Sequence, residues 1–576
     1  MNSVLFAFVI GFWELQQLKS EEFRVSFFTK EETKGPMRVY VTTTSLRILT
    51  GVFVMFFVHG FCRAQVVCLP GRGRNLNTRA KNPLSVTIDL ARQKQTIHGF
   101  GASDCWTVQF VGQWPVNKRM AIADLLFETS LDSRNNPKGI GLSIWRFNLG
   151  AGSSRRENIN SVWRRADTFL SEDFKHYDWS RLPGQRWFLK AAMQRGVGQF
   201  DLFVNSPPIH MTKNGKAFCD ANSGSTNLSD EKFTAFASYL VDVLKHFHKE
   251  EGLTFAYVSP VNEPEWDWEG PEQEGCRYDN PDMFLLVYML CAEIRRQGLP
   301  TRILLPESGQ IDYLYQNRSD RLNYIDYFFN VSGDTNIREM LGNRLCGHSY
   351  FTDTPETGLF VERKRLAEKL VQYPNLEYWM TEYCILGSEG HGRDLGIEPA
   401  LHVARVIHYD LTVAQVSSWQ WWLGISVYDY KDGLVYADKS FRDGNFYDSK
   451  ILWALGNFSR FIRPGMKRVA VSRSDGAGPD DTIEGLLVSA YYDNHHHRVV
   501  LVFVNYQSQD VPVKLRFANA PHGYFTKTLI PYITSSKENL TACKEVSLQR
   551  VLLIPERSVV TFVTPALSAD GVTVKE

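Results

Sequence analysis

Short apolar runs alternate with amphipathic helical stretches through the middle of the chain. The runs are rich in β-forming residues, and the stretches between them carry apolar residues at helical spacing, as at Phe236, Leu240 and Val243. This alternation predicts parallel strands joined by crossover helices. We expect eight strands, at residues 96–103, 142–149, 200–206, 254–262, 302–307, 344–350, 376–383 and 415–423. They fit an α/β fold, a (β/α)8 TIM barrel over residues 84–460, which needs about 250 residues before loop insertions.

The helix after the fourth expected strand has clear boundaries in the sequence. Asn280 is of a residue type that caps helices, Pro281 suits the first turn, and Gly298 is typical of a helix end. The sequence therefore predicts a helix from Asn280 to Gly298 that leads into the fifth strand.

Beyond residue 460 the pattern changes to strands separated by turn residues. Residues 498–505 and 511–517 are the clearest of these strands. They predict a separate antiparallel β-sandwich over residues 461–566. The strand-like stretch 84–90 precedes the barrel, and we expect it to complete the sandwich from a distant part of the chain.

The N-terminal region contains a signal peptide pattern. Basic residues precede the apolar run 48–61, which ends in Cys62-Arg63-Ala64 and is shorter than the roughly 20 residues of a membrane span. We expect a signal peptide at residues 37–64 that begins at Met37, with 1–36 as a non-native upstream extension. Lipidation of Cys62 is the alternative. The protein should therefore be secreted, periplasmic or at the cell surface, without a stable membrane span.

Charge and composition narrow the possible partners. The chain has 64 Lys and Arg against 63 Asp and Glu, and no basic stripe with interleaved aromatic residues, which argues against nucleic acid. Several of the 14 Trp stand beside acidic residues in expected loops, where their rings suit the apolar faces of sugars; core packing is the alternative. Nine Cys become eight if Cys62 leaves with the signal peptide, an even number compatible with disulfides.

Two carboxylates end expected barrel strands, where active sites of this fold lie. Glu263 ends the fourth strand and Glu382 ends the seventh. A glutamate after an apolar run is costly to bury unless it is paired or functional, so a structural ion pair is the alternative for each. Strands four and seven face each other across the barrel mouth. A facing pair of carboxylates is what glycosidic cleavage requires, one as acid/base and one as nucleophile or base.

Other side chains at the same end of the barrel are candidates for substrate contact. Asn262 could bind a sugar hydroxyl, and Arg146 could keep the nucleophile ionised. The remaining candidates are Trp106, His210, Trp266, Trp268, Glu307, His348, Tyr350, Trp419 and Trp421. Glu307 has a buried ion pair as its alternative, and the insert 265–274 with its two Trp residues has an acidic surface loop as its alternative. The run His495–His497 lies between two strands and indicates a hairpin tip, with a metal site as the alternative. We expect no metal and no organic cofactor.

Four motifs carry a resemblance to a known family. They are Gly99-Phe-Gly-Ala-Ser103, Ser206-Pro-Pro208 with Asn214-Gly215, Val261-Asn-Glu-Pro264 and Trp379-Met-Thr-Glu382. In this order they resemble glycoside hydrolase family 30, among the clan A retaining β/α-barrel enzymes, over residues 85–565. The resemblance is greatest to bacterial endo-β-1,6-galactanase-like proteins. It implies a barrel with an attached β-sandwich, double-displacement chemistry, Glu263 as acid/base and Glu382 as nucleophile.

The expected function is therefore hydrolysis of β-linked glycans by a secreted enzyme, with endo-β-1,6-galactanase action on arabinogalactan side chains as the leading prediction. Two departures from the family pattern, His98 before Gly-Phe-Gly and His210 after Ser-Pro-Pro, leave the substrate open. Alternatives are β-1,6-glucan, xylan or a glucosyl lipid. A carbohydrate-binding protein without turnover is the alternative of another class.

Overall fold

The computed structural model describes residues 24–26, 38–40, 74, 76–78, 82–156, 159–171, 173–318, 322–330, 339–520 and 527–564. The chain divides into two compact units, Met1–Arg74 and Asn75–Glu576. In the first unit, strands Arg24–Ser26 and Arg38–Tyr40 pair antiparallel. The rest of the expected upstream extension 1–36 and signal peptide 37–64 lies outside the described residues.

A parallel barrel occupies most of the second unit, as the alternating pattern predicts. Each strand pairs in parallel with the next along the chain, and the eighth pairs with the first. The fifth strand is in two pieces, of which one pairs with the fourth strand and the other with the sixth. The barrel strands are Gly99–Ser103, Ile144–Asn148, Gln199–Phe203, Tyr257–Ser259, Arg302–Ile303 with Leu305–Ser308, Arg344–His348, Glu377–Glu382 and Ser418–Ser426. This arrangement confirms the predicted fold class.

Helices surround the barrel and bury their apolar stripes against it. The α-helices are Val108–Val111, Val116–Phe127, Ser153–Arg156, Pro183–Gln194, Phe233–Glu250, Asn280–Gln297, Ile311–Tyr315, Tyr324–Phe329, Val361–Leu370, Ile397–Thr412 and Lys450–Ser459. Short 3₁₀ turns lie at Val162–Arg164, Ile209–Met211, Asp230–Lys232, Gly387–Gly390 and Asp480–Thr482. In the described part of the chain, no helix combines the length and apolar character needed to cross a bilayer.

The N-terminal cap of the helix after the fourth strand lies one residue before the predicted cap. Asp279, and not Asn280, is the cap, because its side chain accepts a hydrogen bond from the Asp282 backbone N–H. Asn280 is the first helical residue and donates instead to the carbonyl of Leu322. Gly298 ends the helix in the left-handed region, at φ 64°, as expected of a C-terminal glycine.

A curled, mainly antiparallel sheet follows the barrel in sequence and has its own apolar core. Its main strands are Leu84–Thr96, Lys467–Arg473, Leu486–Asp493, Arg498–Asn505, Val511–Ala518, Thr528–Thr534, Val551–Ile554 and Ser558–Val563, with short strands Asn77–Thr78, Thr541–Ala542 and Val546–Ser547. The strand Leu84–Thr96 lies between Lys467–Arg473, to which it is antiparallel, and Val511–Ala518, to which it is parallel. It then leads directly into the first barrel strand, so the chain joins the two sheets at this point. Two further strands continue the sheet beside the eighth barrel strand: Gly433–Ala437 pairs with it in parallel, and Phe446–Asp448 pairs antiparallel with Gly433–Ala437.

Candidate active site

Two glutamates face each other at the C-terminal end of the barrel. Glu382 is the last residue of the seventh strand, and Glu263 lies in the loop after the fourth. One carboxylate oxygen of each lies within 4.8 Å of the other and of a His348 ring nitrogen. Glu263 is 7% exposed and Glu382 is 4% exposed. The structure thus brings together the two carboxylates that the sequence placed on facing strands.

The backbone at Glu263 is in the left-handed region, with φ 44°. This conformation costs a residue with a side chain roughly 1–2 kcal/mol. Three hydrogen bonds hold it. The Glu263 N–H donates to the Glu307 carbonyl at 2.8 Å, and the Glu263 carbonyl accepts from Trp268 Nε1 at 2.9 Å and from the Trp266 N–H at 3.2 Å. The fifth strand and the insert therefore fix the direction of the Glu263 side chain before any substrate arrives.

Glu382 receives donors that favour its ionised form. Arg146 NH1 lies 2.5 Å from Glu382 Oε2, and the Tyr350 hydroxyl donates to Oε1 at 3.0 Å. Burial raises the pKa of Glu382, while the charges of His348 and Arg146 oppose that rise. Arg146, itself buried, also donates to Asn262 Oδ1 at 3.2 Å, which directs the amide nitrogen of Asn262 away from the arginine. The two glutamates therefore differ in their hydrogen-bond donors: Arg146 and Tyr350 donate to Glu382, and neither donates to Glu263 in the described contacts.

Beneath the pair lie Glu307 and His348, both completely buried. His348 donates from Nδ1 to Glu263 Oε1 at 2.8 Å and from Nε2 to Glu307 Oε2 at 3.2 Å. Burial alone would lower the pKa of His348, but the charge of Glu382 and these two hydrogen bonds raise it to about 10. Burial alone would raise the pKa of Glu307, yet the charges and hydrogen bonds of Arg146 and His348 lower it to about 2. At neutral pH His348 is therefore a cation and Glu307 a carboxylate.

Glu307 was predicted as a substrate contact, with a buried ion pair as the alternative. The structure shows the buried ion pair. Its carboxylate accepts from the Ser259 and Thr381 hydroxyls and lies 3.3 Å from Arg146 NH2. With no exposed surface, it cannot touch a ligand in the cleft. The same correction applies to His348, which contacts the glutamates and not the open cleft.

The groups Glu263, His348 and Glu382 also form a geometry that suits a metal ion, since each offers a ligand atom within 4.8 Å of the others. A metal needs the neutral imidazole, whose lone pair makes the bond. His348 instead has its pKa raised to about 10, and both ring nitrogens already face carboxylates. The arrangement holds protons on His348 and favours acid/base chemistry by the carboxyl groups.

The insert after Glu263 packs onto the barrel mouth through its two ends. Glu265 accepts from the Gly309 N–H at 2.5 Å and the Tyr324 hydroxyl at 3.1 Å. Glu274 is fully buried and accepts from the backbone N–H groups of Ala151 and Ser153. Burial raises the pKa of both carboxyls to about 7. These acidic residues were not singled out from the sequence, because the backbone groups that they bind lie on loops distant in the chain.

The two Trp residues of the insert have different surroundings. Trp268 donates to the Glu263 carbonyl, and its ring covers Gly275, where a Cβ would meet Trp268 Cδ2 at 2.3 Å. Trp266 is half-buried, and its ring lies edge-on to Tyr313 and to the exposed Phe351. Trp266 therefore lies at the wall of the mouth, while Trp268 supports the loop.

The eighth strand corrects a prediction about aromatic contacts. Trp419 and Trp421 have no exposed surface. The Nε1 of Trp419 donates to Asp410 on the preceding helix, and the Nε1 of Trp421 donates to the Asp432 carbonyl. They point away from the cleft because side chains alternate along a strand. Trp422 instead packs edge-on against Trp106 at the mouth, with ring centroids 5.3 Å apart.

The remaining predicted contacts lie at the edge of the mouth or beyond it. Trp106 follows the first strand, is 4% exposed, and has the guanidinium of Arg164 5.4 Å from its ring centroid. His210 is exposed in a short 3₁₀ turn, and its ring stacks on Phe174. The described contacts do not join His210 to the glutamate pair, so its position supports an outer contact with a long substrate at most.

Comparison with known proteins agrees with this geometry. The model of O-Glycosyl hydrolase family 30 matches residues 83–436, which includes both glutamates. A solved structure of a conserved exported protein from Bacteroides fragilis is 34% identical, with a TM-score of 0.77, and the match covers 83% of this chain and 100% of that one.

Two curated relatives have named activities. An endo-beta-1,6-galactanase from Hypocrea rufa is 26% identical over 256 residues, 41% of this chain and 51% of that protein, so the chain spans about half of the galactanase. The glucuronoxylanase XynC of Bacillus subtilis (strain 168) is 24% identical over 491 residues, 83% of this chain and 91% of that protein. Since the family model covers more than half of a chain that folds as a barrel with a facing glutamate pair, this protein belongs to glycoside hydrolase family 30 and is an O-glycosyl hydrolase.

Proposed function

We propose that this O-glycosyl hydrolase is a secreted retaining enzyme with Glu382 as nucleophile and Glu263 as acid/base. The observation that supports this is the separation of the two carboxylates, whose nearest oxygens lie within 4.8 Å. Retaining glycosidases hold their carboxyl groups about 5–5.5 Å apart, whereas inverting enzymes leave about 6.5–9.5 Å for a water molecule. The short separation favours direct attack by a carboxylate.

The roles follow from the hydrogen-bond donors around each group. Glu382, held by Arg146 and Tyr350, is the carboxylate that attacks the anomeric carbon and forms a glycosyl ester. Glu263, whose charged donor is His348 and not an arginine, protonates the leaving oxygen. It then accepts a proton from the water that attacks the ester and releases the sugar with its original configuration.

The substrate class that we propose is β-1,6-galactan of arabinogalactan side chains, cleaved internally. The match to the endo-beta-1,6-galactanase supports it, and the half-buried Trp266 beside an exposed Phe351 supplies an aromatic surface for sugar rings outside the cleavage point. Xylan is a second candidate, because the similarity to the glucuronoxylanase extends over far more of the chain.

The test measures reducing ends released from de-arabinosylated arabinogalactan, xylan and β-1,6-glucan, with the anomer of the first product read by NMR. Glu382→Gln and Glu263→Gln are compared with Glu377→Gln, a matched control at the opposite end of the seventh strand. We expect the β-anomer from galactan in the parent and control, and loss of activity in both site variants. Activity that survives in Glu382→Gln would contradict the assignment of the nucleophile. Activity of the parent on xylan alone would contradict β-1,6-galactan as the substrate.

A further inference from the structure

Two cysteines meet where the insert crosses the loop after the third strand. Cys219 and Cys276 are both completely buried thiols in this structure. The Arg277 N–H donates to Cys219 Sγ at 3.4 Å, and Cys276 Sγ donates to the Arg277 carbonyl at 3.5 Å. Both sulfurs therefore contact the backbone of the same residue, Arg277. The Cys276 thiol also lies near enough to the Cys219 sulfur to lower its pKa.

The surrounding backbone holds the two segments in register. The Cys219 N–H donates to the Trp268 carbonyl at 2.9 Å, and the Gly275 N–H donates to the Ala217 carbonyl at 2.8 Å. The Arg277 guanidinium adds hydrogen bonds to the carbonyls of Asp220 and Gly224. The backbone therefore holds the two cysteines on adjoining segments, the arrangement from which a disulfide forms with least strain.

Cys219 also differs from the other buried cysteines in reactivity. The nearby Cys276 thiol, with the N–H and charge of Arg277, lowers the pKa of Cys219 to about 7 against the effect of burial. Burial raises the pKa values of the others well above the ordinary range, at Cys276, Cys105, Cys346 and Cys384. A thiolate near neutral pH is the form that undergoes thiol–disulfide exchange.

We propose that Cys219 and Cys276 form a disulfide bond as the protein folds in an oxidising compartment, and that this bond ties the insert to the barrel mouth. The Cys219 thiolate attacks an external disulfide and releases one thiol. The Cys276 thiolate then attacks the Cys219 sulfur of the mixed disulfide and releases the second thiol. Two protein thiols are oxidised by two electrons, the external disulfide is reduced to two thiols, and the two protons pass to those thiols.

The bond would stabilise the segment that positions Glu263. Trp268 accepts from Cys219 through its carbonyl and donates to the Glu263 carbonyl through its ring, so one residue links the cysteine to the acid/base position. This consequence for turnover rests on the proposed role of Glu263, whereas the bond itself does not. The two can therefore fail separately.

The first experiment detects the bond directly. The full chain is produced with export to a bacterial periplasm, alkylated before digestion, and searched by mass spectrometry for a peptide that joins Cys219 to Cys276. The expected result is the linked peptide, absent after reduction and absent in Cys219→Ser, and retained in the control Cys543→Ser. Recovery of both cysteines as alkylated thiols from the exported protein would overturn the proposal.

The second experiment measures the effect of the bond. Activity half-lives at an inactivating temperature are compared with and without dithiothreitol. We expect reductant to shorten the half-life of the parent and of Cys543→Ser several-fold, and to leave the double variant Cys219→Ser/Cys276→Ser unchanged. An equal effect of reductant on the double variant and the parent would show that the bond does not secure the insert.

Discussion

Replacing Arg146 with Met removes the cation shared by the two most buried carboxylates of the site. The side chain is 1% exposed, lies 2.5 Å from Glu382 and 3.3 Å from Glu307, and has an apolar neighbour in the ring of Phe203. Methionine fills similar space but leaves both carboxylates without this partner. Breaking a buried ion pair by removing one member costs about 3–5 kcal/mol, so we expect a lower melting temperature.

The pH dependence of that loss has a definite sign. Glu307 has a folded-state pKa of about 2, below its ordinary 4.5, so in the parent its ionisation contributes stability above pH 4.5 that is lost as the pH falls towards 2. Without Arg146 the pKa of Glu307 rises, because burial is no longer opposed by that charge. The melting temperature of Arg146→Met should therefore fall further below that of the parent at pH 8 than at pH 5.

The same substitution tests the proposed nucleophile. Loss of Arg146 also raises the pKa of Glu382, so the acidic limb of kcat/KM against pH should move to higher pH, with kcat/KM at its maximum lower by about 10²- to 10³-fold. The matched control is Arg363→Met, which breaks the buried Arg363–Asp410 pair, 2.7 Å long, away from the glutamates. It should lose stability and keep the acidic limb. An acidic limb that does not move in Arg146→Met would refute the reasoning.

Two further predictions concern neighbours of the pair. Tyr350→Phe removes the hydroxyl that donates to Glu382 at 3.0 Å. It should lower kcat by about 10- to 100-fold, which is the usual contribution of a hydrogen bond to a charged group. The control Tyr378→Phe should keep the parent rate, and equal kinetics of the two variants would contradict this prediction. His348 has its pKa raised from 6.5 to about 10, so its stabilising protonation is complete below pH 6.5 and lost as the pH rises to 10. Differential scanning calorimetry should show the parent melting temperature falling across that window more steeply than that of His348→Gln.

The barrel was predictable because each buried strand is an apolar run of its own. All eight predicted strands are present, and their predicted ends were less accurate at the carboxyl side of the fourth strand, which stops at Ser259 and not at Asn262. There the chain leaves the sheet and reaches the left-handed Glu263. Hydrophobic periodicity reports the face of an element and contains no information about such a backbone turn.

The site was predictable only in part, for a different reason. Glu263, Glu382 and Arg146 could be named because each is a charged residue within or shortly after an apolar run. Trp419 and Trp421 were misplaced because a strand of nearly continuous apolar residues does not show which alternate set faces inward. The buried Gln420 between them was the available signal, since a polar side chain in that strand favours the barrel interior.

The strand Leu84–Thr96 has a consequence for the order in which the protein can fold. Its neighbours in the sheet are synthesised much later than the strand itself. The Ser85 N–H, for example, donates to the hydroxyl of Ser474, which lies 389 residues further along the chain. At about 5–20 residues per second, translation delays that pairing by roughly 20–80 s. During this interval the strand carries unpaired edges, which are templates for aggregation. A chaperone that shields nascent strands should therefore raise the yield of this protein, and any expression of the barrel alone should begin after Thr96 or supply the sandwich in trans.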